Sequence, residues 1–158
     1  PLLLRQLPFA KIFVIAFVWT ISTFLLVVVE NNILISQNII WHFTSRFLLV
    51  FAITIPFDIR DINHDSKNII TIPSFFGVQR AKIIAVLALF VCVIISFFQF
   101  FKTDLSLPNL LALIGLYVLT FIFIQKSDVK KRERYFSFWG ESLALFGYFL
   151  LVFAELIF

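Results

Sequence analysis

Five apolar runs, at residues 12–29, 39–57, 83–101, 107–124 and 138–158, dominate this chain and leave it few folds to choose from. A helix rises 1.5 Å per residue, so roughly 20 apolar residues cross a hydrocarbon core about 30 Å thick. Each run meets or approaches that length. Composition agrees: 61% of residues are hydrophobic, 14% are charged and 23 are Phe, with a mean hydropathy of +1.04. A soluble domain is nearer a quarter charged. The sequence therefore predicts an all-α, multi-span transmembrane bundle of five helices embedded in a lipid bilayer. With no internal repeat or long linker, residues 1–158 read as one domain. The chain begins at Pro1 and contains no Met, which is expected of the C-terminal part of something longer. The opening PLLLRQLPFAK lacks the basic, apolar and small-residue order of a signal peptide.

Orientation follows from Lys and Arg, which gather in cytoplasmic loops. Of the 13, Arg5 and Lys11 precede the first run, and Arg60, Lys67, Arg80 and Lys82 lie between the second and third. Lys126, Lys130, Lys131, Arg132 and Arg134 lie between the fourth and fifth runs. The two alternate connections hold Lys102 alone. The chain is thus expected to start inside and end outside, in a bacterial inner membrane. The basic run KKRER reads first as a topology signal and solvated loop, with a patch for anionic lipid or diphosphate as the rarer alternative. Cys92 lies inside LFVCVIISFF, so the single thiol reads as a small buried hydrophobe.

The segment FDIRDINHDSK, 57–67, concentrates charge in this apolar background. Asp58, Asp61 and Asp65 are spaced i, i+3, i+7, which at 100° per residue confines them to an arc of roughly 60° on a helix. Like charges gathered on one face are unfavourable unless a cation lies between them. A hard divalent ion such as Mg²⁺ suits such donors, since it binds through one or two carboxylates plus substrate phosphates. Arg60 and Lys67 add positive charge suited to phosphate oxygens. Inside the second run, His42 and Arg46 are i, i+4, and snorkelling or an ion pair with Glu30 is the expected explanation. Glu141 is expected at the cytoplasmic start of the last span, either facing a chamber or stabilised by the helix N-terminus.

DxxDxxxD at Asp58, Asp61 and Asp65, followed by Lys67, TIP at 71–73, Gly77 and Ala81, resembles the second aspartate-rich region of the UbiA superfamily of intramembrane prenyltransferases. That region reads approximately D-x-R-D-x-x-x-D-x-x-x-x-K-T-x-P-x-x-x-G in many members, between the sixth and seventh of nine helices. YFSFWGES at 135–142 is similar to the start of the family's last helix. The resemblance implies that the five spans correspond to helices 5–9 of a nine-helix UbiA-type fold, with the aspartate motif on the cytoplasmic side. It implies Mg²⁺ held by Asp58, Asp61 and Asp65, and a prenyl diphosphate contacted by Arg60, Lys67 and Arg5. It also implies transfer of the prenyl group to a lipophilic, aromatic acceptor, with no nucleic-acid partner. The family's first motif, N-D-x-x-D-x-x-x-D, is absent from these residues. The alternative is a non-catalytic membrane protein of the same descent that binds lipid or a partner protein. CDP-alcohol phosphotransferases, which also use membrane aspartates, require D-G-x-x-A-R, and neither DG nor AR occurs.

The charge asymmetry makes a direct prediction. In a variant lacking Cys92, a cysteine at Asn63 should react with an impermeant thiol reagent only from the cytoplasmic side, and one at Asn32 only from outside. Labelling of both from one side would remove the five-span topology.

Overall fold

The computed structural model describes residues 9–62, 70–103 and 105–157. The described residues are helical, with no strand, and five helices are long and apolar enough to cross a membrane. The first, Ala10–Glu30, is built from α1 (Ala10–Thr20), a π-helical turn (Ile21–Leu25) and α2 (Leu26–Glu30). The others are α3 (Gln37–Asp61), α5 (Val78–Lys102), α6 (Leu107–Lys126) and α7 (Glu133–Ile157). A short α4, Ile72–Phe76, precedes α5. All five apolar runs are helices, and most ends reach further than the runs. α3 continues to Asp61, α5 begins at Val78 and α7 at Glu133, because charged side chains at a membrane interface lie along the helix and keep their heads in water.

The π turn of the first span has a local cause. Ser22 and Thr23 donate their hydroxyl protons to the carbonyls of Val18 and Trp19 at 2.8 and 2.7 Å, and Thr20 does the same to Ala16 at 2.7 Å. A wider turn weakens the regular ladder, and these hydroxyls satisfy carbonyls that water cannot reach in lipid. α4 is set by TIP: Thr71 accepts from the Ser74 amide, Ser74 Oγ accepts from the Thr71 amide at 2.8 Å, and Pro73 occupies the first turn. Gly77 then links α4 to α5 at φ 83°, a conformation that residues with a Cβ rarely adopt.

α3 is the hub. It packs on α1, α4, α5, α6 and α7, and its most extensive contact is with α5. Ala81, Ala85, Ala88 and Cys92 form a buried row of small side chains on α5, which admits Ala52, Ile55 and Ile59 of α3. Close backbone approach over small residues is the usual way helices associate in membranes, where burying apolar surface gains nothing over lipid. Further along, Tyr117 of α6 joins the same pair of helices: its hydroxyl is 3.1 Å from Ser45 Oγ on α3 and 3.0 Å from Ser96 Oγ on α5. Cys92 donates to the Ser45 carbonyl at 3.3 Å and is fully buried, as expected of a packing residue.

Near the C-terminus of α3, Phe57 packs into a cluster of Phe123, Tyr135 and Phe136. Gly140 of α7 lies against it, and a Cβ placed there would collide with Phe57 Cζ and stand 2.8 Å from Cε2. Gly140→Ala therefore has to push Phe57 or α7 aside, at a cost of about 1–3 kcal/mol. Gly115→Ala is the matched control, since its Cβ would meet only Leu150 Cδ1 at an ordinary 3.6 Å. In detergent-solubilised protein, thermal unfolding should occur at a lower temperature for Gly140→Ala and at an equal or higher one for Gly115→Ala. Equal stability of the two variants would contradict the contact.

Candidate functional site at the basic end of the bundle

The chain alternates direction across its five spans, which brings the start of the first, the ends of α3 and α6, and the starts of α5 and α7 to one end of the bundle. Contacts across that end hold it together. Lys82 of α5 donates to the Gln125 carbonyl of α6 at 2.9 Å, covering one of the unpaired carbonyls that end a helix. The amide of Phe9 donates to the Ile70 carbonyl at 3.0 Å, and Phe9 stacks on Phe76 of α4 at 5.9 Å.

Asp58 and Asp61 both belong to α3, and the helix ends at Asp61. Asp58 is 2% exposed, and its Oδ1 lies 3.3 Å from Lys11 Nζ on α1. A carboxylate so deeply buried costs several kcal/mol unless a cation accompanies it, and Lys11 supplies the cation. The apolar stem of Lys11 runs along the bundle while its head reaches the carboxylate. Asp61 is bound edge-on by Arg60, with Nε to Oδ1 at 2.6 Å and Nη2 to Oδ2 at 3.0 Å. This is the bidentate fork that favours Arg over Lys at carboxylates. The Arg60 guanidinium also sits over the Phe57 ring, 5.4 Å from its centroid.

The i, i+3 spacing thus puts two carboxylates at one end of one helix, turned toward different partners, α1 for Asp58 and the α6–α7 side for Asp61. Asp65, the third member, lies outside the described residues, as do Lys67 and Arg5. Among the described residues no group of three His, Cys, Asp or Glu side chains gathers as a metal site.

Asp61 and Arg60 line a cavity of about 330 Å³ together with Val129, Lys131 and Glu133 of the α6–α7 connection and the start of α7. Lys131 was read from the sequence as part of a topology signal, and the fold brings it to the aspartate motif. The connection is itself ordered by local bonds. The Lys130 amide donates to Asp128 Oδ1 at 2.9 Å, and Ser127 Oγ donates to the Ile124 carbonyl at 2.6 Å. Lys131 Nζ stands 4.9 Å above the Tyr135 ring. No spacing rule links 60 to 131, so only the tertiary fold reveals their meeting.

One expectation is corrected. Glu141 is not at a helix start: α7 begins at Glu133, and the N-terminal dipole fades within the first turn. Of the two explanations for Arg46, the ion pair with Glu30 is not formed among the described residues, which leaves snorkelling. Arg46 is exposed on α3, and His42, one turn away, packs beside Phe24 at 6.3 Å. No protein-family model, curated protein or solved structure matches the chain.

The Lys11–Asp58 pair predicts strong coupling. Lys11→Met should destabilise the protein, because it leaves a buried carboxylate without this cation, while Lys11→Met with Asp58→Leu should recover much of the loss. A double-mutant cycle by thermal or chemical unfolding should give a coupling of about 1–3 kcal/mol. Additive losses would show that the pair is incidental.

Proposed function

We propose that the chain is the C-terminal part of a UbiA-type intramembrane prenyltransferase, which moves an isoprenyl group from a prenyl diphosphate to a lipophilic, aromatic acceptor. The observation that carries this reading is the gathering of Asp58, Asp61, Lys11, Arg60 and Lys131 at one end of a five-span bundle. Hard oxygen donors next to cations form a surface for a phosphate ester and its counter-ion, in a setting otherwise suited to an isoprenoid tail. Carboxylate oxygens suit Mg²⁺, for which Asp61 and Asp65 would be the ligands, with Asp58 joining them only by exchanging Lys11 for the ion. When bound, the ion would supply charge neutralisation for the departing diphosphate.

The chain's own residues have separate tasks in this scheme. Arg60, with Lys67 and Arg5, binds diphosphate oxygens and fixes their position. Lys11 holds Asp58 and thereby fixes the register of the first span against α3. The Phe-rich faces of the helices keep water from the carbon left electron-poor as its bond to oxygen breaks. In this reading the basic end is cytoplasmic, consistent with the distribution of Lys and Arg.

One observation favours a second reading, that of a non-catalytic membrane protein which binds lipid or a partner. The two described aspartates of the motif already have cations of the chain itself, Lys11 and Arg60, which would give the charges a purely architectural purpose.

The test is Mg²⁺-dependent transfer from prenyl diphosphates to a panel of aromatic acceptors, measured on the full-length protein. Asp61→Ala should lower the rate by about a thousandfold, since metal stabilisation supplies several kcal/mol and each 1.36 kcal/mol is a factor of ten. Asp65→Ala should do the same. Glu30→Gln, at the opposite end of the bundle, should leave it unchanged. Equal activity of Asp61→Ala and Glu30→Gln in an active preparation would establish the architectural reading instead.

A further inference from the structure

We propose that Lys131 is a phosphate-binding residue of this site, supplied by the α6–α7 connection. The proposal rests on the prenyl diphosphate reading for the identity of the ligand, and on the cavity for the residue. Five basic residues occupy 126–134, yet of these Lys131 alone lines the cavity shared with Arg60 and Asp61.

Its position is fixed by aromatic rings. Lys131 Nζ lies 4.9 Å from the Tyr135 centroid, Tyr135 stacks on Phe123 at 5.7 Å, Phe123 meets Phe57 at 6.1 Å, and Phe57 bears Arg60 at 5.4 Å. One continuous aromatic cluster therefore supports a cation at each of its two ends, both on the cavity wall. The Tyr135 hydroxyl donates to the Phe123 carbonyl at 3.3 Å, which limits rotation of the ring beneath Lys131.

A ring face attracts an ammonium group without using its N–H donors as a carboxylate would. Lys131 has no ion pair with any described residue, although Asp61 and Glu133 line the same cavity. Its three donors are thus left for an acceptor inside the cavity. The Arg60 fork is already held by Asp61, so Arg60 brings its positive charge to the cavity wall while Lys131 brings a compact point charge whose donors can reach a phosphate oxygen. The cavity volume of about 330 Å³ has room for such a group. Phosphate oxygens could also belong to an anionic lipid headgroup, and the experiment separates the two sources.

Binding of inorganic diphosphate in the presence of Mg²⁺ should be measured by calorimetry on the full-length protein in neutral phosphatidylcholine nanodiscs at fixed ionic strength. Lys131→Ala should weaken it about tenfold, the usual loss for one charge-assisted hydrogen bond. Lys131→Arg should restore most of the affinity. Lys130→Ala, which removes the same charge one residue away and off the cavity wall, should change it less than about twofold. Asp61→Ala reports on the underlying reading. If Asp61→Ala abolishes binding while Lys131→Ala and Lys130→Ala behave alike, the assignment of Lys131 is wrong and the diphosphate site stands. If none of the variants alters binding, both are wrong. If Lys131→Ala affects only the capture of phosphatidylglycerol, tested by adding that lipid to the discs, the residue is a headgroup contact and the assignment also fails.

Discussion

Lipid surrounds apolar side chains as comfortably as a neighbouring helix does, so the close approach of α3 to α5 rests on shape and on bonds that lipid cannot offer. Ala81, Ala85, Ala88 and Cys92 supply the shape, a shallow row on α5 into which Ala52, Ile55 and Ile59 fit. Ser45, Ser96 and Tyr117 supply the bonds and draw α6 into the same joint. With α3 held, its C-terminal turn has a fixed position relative to every other helix it touches. Asp58 is thereby delivered to Lys11 and Asp61 to the connection between α6 and α7. Pro56, buried just before this turn, cannot donate to the helix ladder and so loosens it where the charged residues begin.

The balance of charge at this end follows from burial. Asp58 has almost no contact with solvent and needs its cation for the fold to survive, which makes Lys11–Asp58 as much an anchor of the first span as any apolar contact. Asp61 is partly exposed, and its pairing with Arg60 is a matter of geometry more than survival: adjacent residues, a bidentate fork, and an aromatic ring beneath the guanidinium. The two aspartates of one motif therefore differ in kind. Replacing Asp58 disturbs architecture first, whereas replacing Asp61 alters the cavity wall.

Much of the fold was legible because bilayer thickness imposes a length that can be counted along the chain. The apolar runs located all five spans, and alternation of direction placed the basic connections together. Helix ends were less legible, since hydropathy marks where lipid begins and the helix continues past it, as at Val78 and Glu133. That displacement moved Glu141 from a helix start to its interior. The i, i+3 spacing located Asp58 and Asp61 correctly on one helix, but their partners are tertiary facts. Lys11 is far from Asp58 in sequence, and Lys131 belonged to a run whose charge had a sufficient explanation in topology. Lys131 lies ahead of α7, which starts at Glu133, so its contact with Tyr135 comes from the path of the connection and no helical spacing rule marks this lysine out from its neighbours. Gly140 gave no hint either: its need for a missing Cβ comes from Phe57 on another helix.

Pairing of Asp61 with Arg60 does not by itself exclude a divalent ion. An ionised carboxylate has about four lone-pair positions, and the guanidinium fork takes one on each oxygen, leaving two. An ion approaching the remaining positions would meet the positive charge of Arg60 nearby, and that repulsion has to be offset by anionic ligands arriving with it. On the proposed reading a diphosphate would do so, since it carries several negative charges. The arrangement would then favour joint capture of ion and phosphate over capture of the bare ion. A carboxylate cluster without such cations would instead bind the metal first. Glu133 also lines the cavity, so that among the described residues two carboxylates, Asp61 and Glu133, face two cations, Arg60 and Lys131. On the proposed reading, such a balance of charge would favour a metal–diphosphate pair over either component alone.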